Sequence, residues 1–363
     1  MKNVYGNNIT LTLFGESHGA AIGAVLDGIA PGMEVDEEFI RHQLTLRRPS
    51  GDISTKRSEA DKFSILSGVY NGKTTGTPIC IVIENENKIS KDYSDIENKA
   101  RPGHADFAAF SKYHAYEDRR GGGHFSGRIT AAIVAAAAII IYALNKKGIS
   151  IGTHIKKLAG VKDREFNCLN DDIELLNEKV FPVLDDNIGE EMKNEIIKAR
   201  DALDSVGGVL ETVVVGMPAG VGEPWFDTVE SMLSHGLFSI PAIKGIEFGD
   251  GFKISDMYGS EANDSFRVEN GKIVTKTNHN GGINGGITNG MPIIFSCAVK
   301  PTPSIARKQE TVDFNKNENT EIEIKGRHDP CIVHRARVVV DSITALTLAD
   351  ILVGRYGTDY LKD

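Results

Sequence analysis

One stretch concentrates side chains that can do chemistry: residues 101–128, RPGHADFAAFSKYHAYEDRRGGGHFSGR. It carries His104, His114 and His124, the arginines Arg101, Arg119, Arg120 and Arg128, and a triple glycine at 121–123. A continuous apolar segment, ITAAIVAAAAIIIYAL, follows at once and predicts a buried helix. A glycine-rich turn feeding such a helix directs unpaired N–H groups and the positive end of the dipole at one spot. Arginines add formal charge there, and histidine exchanges protons near neutral pH. A triple glycine alone would serve equally well as a plain turn. The density of His, Arg and Gly together points to a site that binds a phosphorylated or carboxylated small molecule and performs acid–base chemistry on it.

Other candidates lie elsewhere. His18 sits in the turn GESHG at the end of a strand-like run, where it can either satisfy backbone or present an acid or base. The loop LRRPSGDISTKRSEADKF is too polar and too rich in Pro, Gly and Ser to be core. Its Arg47, Arg48 and Arg57 are candidate clamps, because a guanidinium fork matches carboxylate and phosphate. The segment NHNGGINGGITNGMPIIFSCAVKPTPSI combines glycines that let a flat ligand approach the backbone with Lys300 at the end of an apolar run. GGINGG lacks the strand–GxGxxG–helix setting of a dinucleotide fingerprint, and there is no Walker-type lysine motif. Asp350 lies on an otherwise apolar helical stretch, where a carboxylate is costly unless paired or used.

Hydrophobic periodicity predicts the elements that must position these residues. Strands are expected at 8–14, 24–29, 63–69, 77–83 and 149–159, with the third and fourth paired around YNGKTTG. Residues 36–46 have helical spacing, and HRARVVVDSITALTLADILV predicts a last amphipathic helix. Residues 163–203 are charged, helical and peripheral, and strands return from Gly207. SMLSHGLFSIPAIKGIEF then predicts a helix followed by a strand.

A chain of 363 residues with 40% hydrophobic and 25% charged residues is globular in composition. A net charge of −9 argues against a general nucleic-acid binder. Arginines nevertheless cluster at 41–57, 101–128 and 327–337, which fits a small anion better than a polyanion. Cys80, Cys168, Cys297 and Cys331 form no CxxC pair, so neither a disulfide framework nor a zinc site is expected. The N-terminal residues have no adequate apolar core for a signal peptide, and 129–144 is short for a membrane span. A cytoplasmic protein without membrane or nucleic-acid partners is the expectation.

The motifs now assembled resemble one family, chorismate synthase. GESHG at 15, RRPSGD at 47, SGVYNGKTTGTPI at 67, RPGHAD at 101, YEDRRGGG at 116, FSGR at 125, GGINGGITNGMPI, KPTPSI at 300 and GRHDP at 326 stand in family order over nearly the whole chain. The resemblance implies an α+β fold: residues 1–363 as one large domain, a β-α-β sandwich of antiparallel sheets around core helices, assembled as a homotetramer. It implies 1,4-elimination of phosphate from 5-enolpyruvylshikimate 3-phosphate to give chorismate, in the shikimate pathway. Reduced FMN is required without net redox change. Some members reduce FMN with NADPH (NADP chemistry that no added segment marks here), and others depend on a separate flavin reductase.

By motif position, Arg48, Arg57, Arg101, Arg128 and Arg335 would bind substrate. His18 would be the general acid at the departing phosphate, and His104 would protonate or support the reduced flavin. Asp350, Ser17 and Ser126 would form the relay that helps the flavin take the ring proton. FMN would lie against His124, Phe125, Ser126, Ala242, Gly285, Lys300, Pro301, Thr302, Pro303, Ser304 and Arg327. No metal is implied. The chain departs from many members in having HFSGR for RSSAR, Asp52 and Ile53 near a position often held by arginine, and Pro303 for a serine. Two rival readings are a metal-dependent phosphohydrolase using His18, His104, Asp106 and His124, and a flavin- or anion-binding module without turnover.

Overall fold

The two N-terminal alternating stretches form neighbouring strands, as their period-two pattern predicts. The structure, a computed structural model, describes residues 2–49, 51–54, 60–86, 98–324 and 329–362. Strands β1 (Val4–Tyr5), β2 (Thr10–Gly15), β3 (Ala21–Asp27), β4 (Phe63–Ser67) and β5 (Ile79–Glu84) make a five-stranded antiparallel sheet in the order β1-β2-β3-β5-β4. Register is set by the buried face: Ile22, Ala24 and Leu26 of β3 alternate inward, as do Ile79, Ile81 and Ile83 of β5. The pairing predicted for 63–69 with 77–83 is present, closed by a small ribbon of Val69–Tyr70 with Lys73–Thr74.

A second five-stranded antiparallel sheet is built from β6 (Ser150–Leu158), β7 (Val161–Lys162), β8 (Gly208–Val215), β9 (Ile243–Phe248) and β10 (Ile293–Val299), in the order β9-β10-β8-β6-β7. Between the sheets run helices α1 (Glu37–Arg47) and α3 (Thr130–Lys146), and the long C-terminal helix α7 (Val333–Tyr356). Helix α3 packs on β3 and β5 of the first sheet, α7 packs on β6 and β8 of the second, and the two helices pack on each other. The result is a β-α-β sandwich of antiparallel sheets around core helices, the α+β fold expected. Helix α3 is apolar enough to cross a membrane by composition, but it is enclosed by this core. Its alanines from 135 to 138 are fully buried, and such small side chains let neighbouring elements approach closely.

Helix α1 starts where its N-cap predicts: Asp36 accepts from the backbone of Glu38 and Phe39. Its C-terminal end delivers Arg47 and Arg48 to the loop that follows. Helices α2 (Asp106–Tyr113), α4 (Leu169–Glu178), α5 (Asp186–Asp201) and α6 (Val229–Leu237) complete the larger elements. The charged segment expected to be helical and peripheral supplies α4 and α5. It is nevertheless tied to the core, since Arg337 of α7 donates to the carbonyl oxygens of Leu176 and Lys179.

Candidate active site

The triple glycine is the wall on which the site is built. Gly121, Gly122 and Gly123 all have positive φ, at 59°, 86° and 54°, so the chain doubles back through conformations other residues resist. A Cβ added to Gly121 would overlap Cε1 and Nδ1 of His18 and lie 3.0 Å from Oγ of Ser17. One added to Gly122 would lie 3.6 Å from Nε2 of His104 and 3.7 Å from Cβ of Ser126. The bare backbone therefore brings together four of the five residues expected to be catalytic, from three separate motifs. The Ser17 amide donates to the Gly123 carbonyl at 3.1 Å, stitching the GESHG turn to the wall. Ser17 and His18 are only 2% and 5% exposed. Ser126 caps the short turn that leads into α3, accepting from the Arg128 amide.

His104 is oriented by its own loop. Its Nδ1 lies 2.6 Å from Oδ1 of Asp106. Arg101 Nη2 is 3.0 Å from the same nitrogen, but a guanidinium can only donate, so the shorter carboxylate contact decides the proton: Nδ1–H donates to Asp106. Nε2 is left facing Gly122. Arg101 donates to both oxygens of Asp106 through Nε and Nη2, each at 2.7 Å. Burial alone would raise the Asp106 carboxyl, but its bonds to Arg101 and His104 overcome this and hold it far below the usual carboxylate range. Arg101 is held by Asp106 through Nε and Nη2, and so bears on His104 as well.

A second cluster gathers the arginines. Arg47 and Arg128 both pair with Asp61, Arg47 at 3.0 Å, with all three side chains at most 8% exposed. Burial would raise Asp61, yet the two guanidiniums pull it below its ordinary value. Arg47 itself is lowered by burial and by the fields of Arg335 and Arg128, against the pull of Asp61. Arg335 pairs with Asp329, and Arg48 donates to the carbonyl of Ala60. Among the described residues, four guanidiniums thus stand against two carboxylates. The Nε donors of Arg47, Arg48 and Arg335 are buried without a hydrogen-bond partner among the described residues. Buried orphan donors on cations are costly unless a ligand meets them. Arg47 and Arg335 also line a small apolar cleft with Pro241 and Val339.

Asn85, 5% exposed at the end of β5, joins the two clusters. Its Nδ2 donates to the carbonyls of Glu16 and Gly19 around His18, and its Oδ1 accepts from Nε of Arg128. Neither Asn85 nor Asp61 is marked in the sequence as a site residue, and Arg47, a candidate clamp that opens the RRPSGD motif, is not among the arginines the resemblance assigns to substrate. Asp61 is one of three carboxylates in the arginine-rich loop, with Asp52 and Glu59, and nothing in the sequence singles it out.

The KPTPSI segment comes to the same place. Lys300 follows β10, its amide donates to the carbonyl of Ala242, and its Nζ reaches the carbonyl of Gly103 in the His104 loop. Ala242 has φ of 77°, unusual for a residue with a Cβ. A Cβ on Gly103 would lie 3.5 Å from Pro303. Thr302 gives its carbonyl to Ser205, while its Oγ1 is buried without a partner among the described residues. Pro301 packs on Gly207, and Ser304 is half-buried alongside. On the outer side of the glycine wall, His124 Nδ1 lies 2.8 Å from the Gly15 carbonyl. Phe125 meets Tyr113 edge-on at the rim of a cavity of about 330 Å³. At the departure near Asp52, Arg200 of α5 reaches in to donate to the Asp52 carbonyl.

Four expected site residues do not join this arrangement or lie outside the described residues. Asp350 is 2% exposed near the C-terminal end of α7, and it accepts from the backbone amides of Asn7, Asn8 and Ile9 before β2 begins. His18 follows the opposite end of that strand, roughly 20 Å away at strand rise. Within one chain Asp350 is therefore an anchor for the N-terminal strands and does not join Ser17 and Ser126. Gly285 occupies the exposed tip of a hairpin, Ile283–Asn284 with Ile287–Thr288, which packs on Gly222 and Thr228. That hairpin precedes β10, whereas Lys300 lies past its far end, so Gly285 is not beside Lys300. Arg57 and Arg327 lie outside the described residues. His114 is exposed and ends α2 with φ of 55°. No group of three or more His, Cys, Asp or Glu among the described residues could hold a metal ion.

The comparisons with known proteins agree with one another. The family model for chorismate synthase matches residues 9–353. The chain is 46% identical to the chorismate synthase of Pyrococcus abyssi, over 96% of this chain and 97% of that one. It is 46% identical to that of Methanococcus maripaludis, over 97% of each chain. The Lachnoclostridium phytofermentans chorismate synthase is 44% identical over 99% of this chain and 97% of its own. A crystal structure of chorismate synthase superposes with a TM-score of 0.79 at 28% identity, covering 98% of this chain and 95% of that one. With the fold, the ordered motifs and the histidine–glycine wall all accounted for, the chain belongs to the chorismate synthase family of shikimate-pathway enzymes.

Proposed function

We propose that the chain converts 5-enolpyruvylshikimate 3-phosphate to chorismate by 1,4-elimination of phosphate, with reduced FMN as a cofactor that is not consumed. The observation that carries this reading is the convergence of His18, Ser17, His104 and Ser126 on the bare backbone of Gly121 and Gly122, beside an arginine cluster with buried orphan donors. A substrate with two carboxylates and a phosphate is what such donors fit. Arg47, Arg48, Arg128 and Arg335 bind and orient it, with Asp61 and Asn85 holding Arg128 in place. Arg57 is proposed for the same task from its motif.

His18 protonates the departing phosphate, and His104 holds a proton at Nε2 or gives it up there. Asp106, with Arg101 behind it, fixes the ring. Ser17 and Ser126 lie against the two glycines and help pass the ring proton. The donor set also fits a flavin phosphate and ring: the Lys300 cation, the partnerless Thr302 hydroxyl and the side-chain-free backbone of Gly103 and Gly122. Pro301, Pro303, Ser304, Ala242, His124, Phe125 and Arg327 would line that group. When bound, reduced FMN supplies transient electron density to the breaking C–O bond.

The enzyme acts in the cytoplasm as a homotetramer. Trp225, Phe226, Phe252, Tyr258 and Phe266, all at least 65% exposed, are apolar surface of the kind subunit contacts cover. In such an assembly Gly285 would belong to contacts between chains. The test is anaerobic turnover with chemically reduced FMN, and with oxidised FMN plus NADPH. Chorismate is expected in the first. Its formation in the second would add an intrinsic flavin reductase activity, and failure there would leave reduction to a separate protein. Folded protein that binds FMN yet makes no chorismate from the phosphate substrate would favour the binding-module reading instead.

A further inference from the structure

A second cavity, remote from the glycine wall, lies among α1, α3, β6 and α4. It measures about 660 Å³, within the range of small-molecule sites. Its polar lining is one-sided in charge: Asp36 and Glu38 from α1 and its cap, Glu174 and Glu178 from α4, and Asp341 from α7. Among the described lining residues none is lysine or arginine. Asp341 is already satisfied by Arg337 and Thr153, and Glu38 reaches Arg41. Glu174 and Glu178 differ. They are exposed, stand one helical turn apart, and form no ion pair with any described residue. Like charges at that spacing destabilise a helix by a few tenths of a kcal/mol unless something answers them.

Gln43 supplies an independent sign. It is 6% exposed, faces the cavity, and its amide makes no hydrogen bond with any described residue. Its amide atoms are not sealed in the core but open into the cavity, where water or a bound molecule meets them. The floor is apolar, formed by Phe39, Ile141, Ile151 and Ile173.

The carboxylates are spread around this space. No three acidic or histidine side chains among the described residues come close enough to share a metal ion. Dispersed negative charge over an apolar floor fits several ammonium groups separated by methylene spacers. We propose that this cavity binds a linear polyamine, its ammonium groups meeting Glu174, Glu178 and the rim of α1. Its methylenes lie on the apolar floor, and Gln43 accepts from an N–H through its side-chain oxygen.

The test is calorimetric titration of spermidine into the full chain at fixed ionic strength, with magnesium chloride as the competing cation. Saturable binding of one spermidine per chain is expected, undisturbed by magnesium at matched ionic strength. Glu174→Gln/Glu178→Gln should weaken it about tenfold, since two exposed ion pairs are lost. Gln43→Leu should weaken it as well, with far-UV circular dichroism confirming the fold. Should Gln43→Leu fail to fold, the double variant carries the test, because both its side chains are exposed. The proposal is overturned by absence of saturable binding, by unchanged affinity in the double variant, or by equal displacement with magnesium. The last two results would reduce the effect to diffuse attraction by an acidic protein.

Discussion

Asp106 and Gly121 show how much of the proposed chemistry depends on residues that need not touch substrate. Asp106 accepts the Nδ1–H of His104 and so leaves Nε2 on the side of Gly122. Asp106→Asn keeps the shape but loses the charge that holds both His104 and Arg101. Turnover should fall by about 10²-fold or more, in the range of a misplaced acid–base group. Steady-state kinetics on folded protein checks this, and unchanged kinetics would make Asp106 a fold residue only. At Gly121 a methyl group would collide with the His18 ring on top of an unfavourable φ of 59°. Gly121→Ala should therefore lose most turnover. Gly127→Ala should be tolerated, because a Cβ there meets nothing within 4 Å. Equal activity of the two variants would show that the wall does not place His18. His104 and the glycines were legible in the sequence because they are crowded into one stretch, whereas His18 took its role only from the resemblance of its GESHG turn. Asp61 and Asn85 were not legible, since each acts on partners in other motifs, and no local pattern marks a residue whose role is to join distant segments.

Helix α7 carries two unrelated tasks at its two ends, about four turns apart. Its first turn presents Arg335 to the arginine cluster and His334 to the loop before Arg57. Nε2 of His334 lies 2.9 Å from Oγ of Ser54. Burial, with the field of Arg335, pushes His334 down to about 3. Its folded pKa is thus below its unfolded value of about 6.5, so the unfolded chain binds the extra proton first. The stability involved is present above about pH 6.5 and is lost as pH falls toward 3. His334→Gln, which keeps a polar group near Ser54, should flatten the acid limb of the urea-unfolding profile over that window. A profile identical to the parent chain would contradict a buried neutral His334.

At the other end, Asp350 holds three backbone amides ahead of β2. Asp350→Asn should cost about 2 kcal/mol or more of unfolding free energy, since bonds to a charged acceptor are lost. Turnover per folded molecule should remain. Lost turnover at full stability would return Asp350 to the proton relay. The sequence showed a carboxylate on an apolar helix but not its partner, because the partner is unspecific backbone from the other end of the chain.

Across the whole molecule, the two sheets are tied by α3 packed on α7, and the site lies where loops from both sheets meet. The GESHG turn follows β2, Asn85 follows β5, and Lys300 follows β10. Strand and helix periodicities were readable because burial imposes period two or period 3.6 on the pattern. The stacking order of the layers was not, since antiparallel strands from one sheet look locally like those of the other. Family resemblance provided that order, and the superposition with the solved chorismate synthase supports it.

The central claim is that the two histidines gathered on the glycine wall perform acid–base work in a 1,4-elimination. The most direct measurement compares anaerobic chorismate formation by the parent chain, His18→Ala and His104→Ala, each with reduced FMN and a folded circular-dichroism spectrum. The account predicts losses of about 10²–10⁴-fold in each variant. Near-parental turnover in either one would contradict it and remove that histidine from the mechanism.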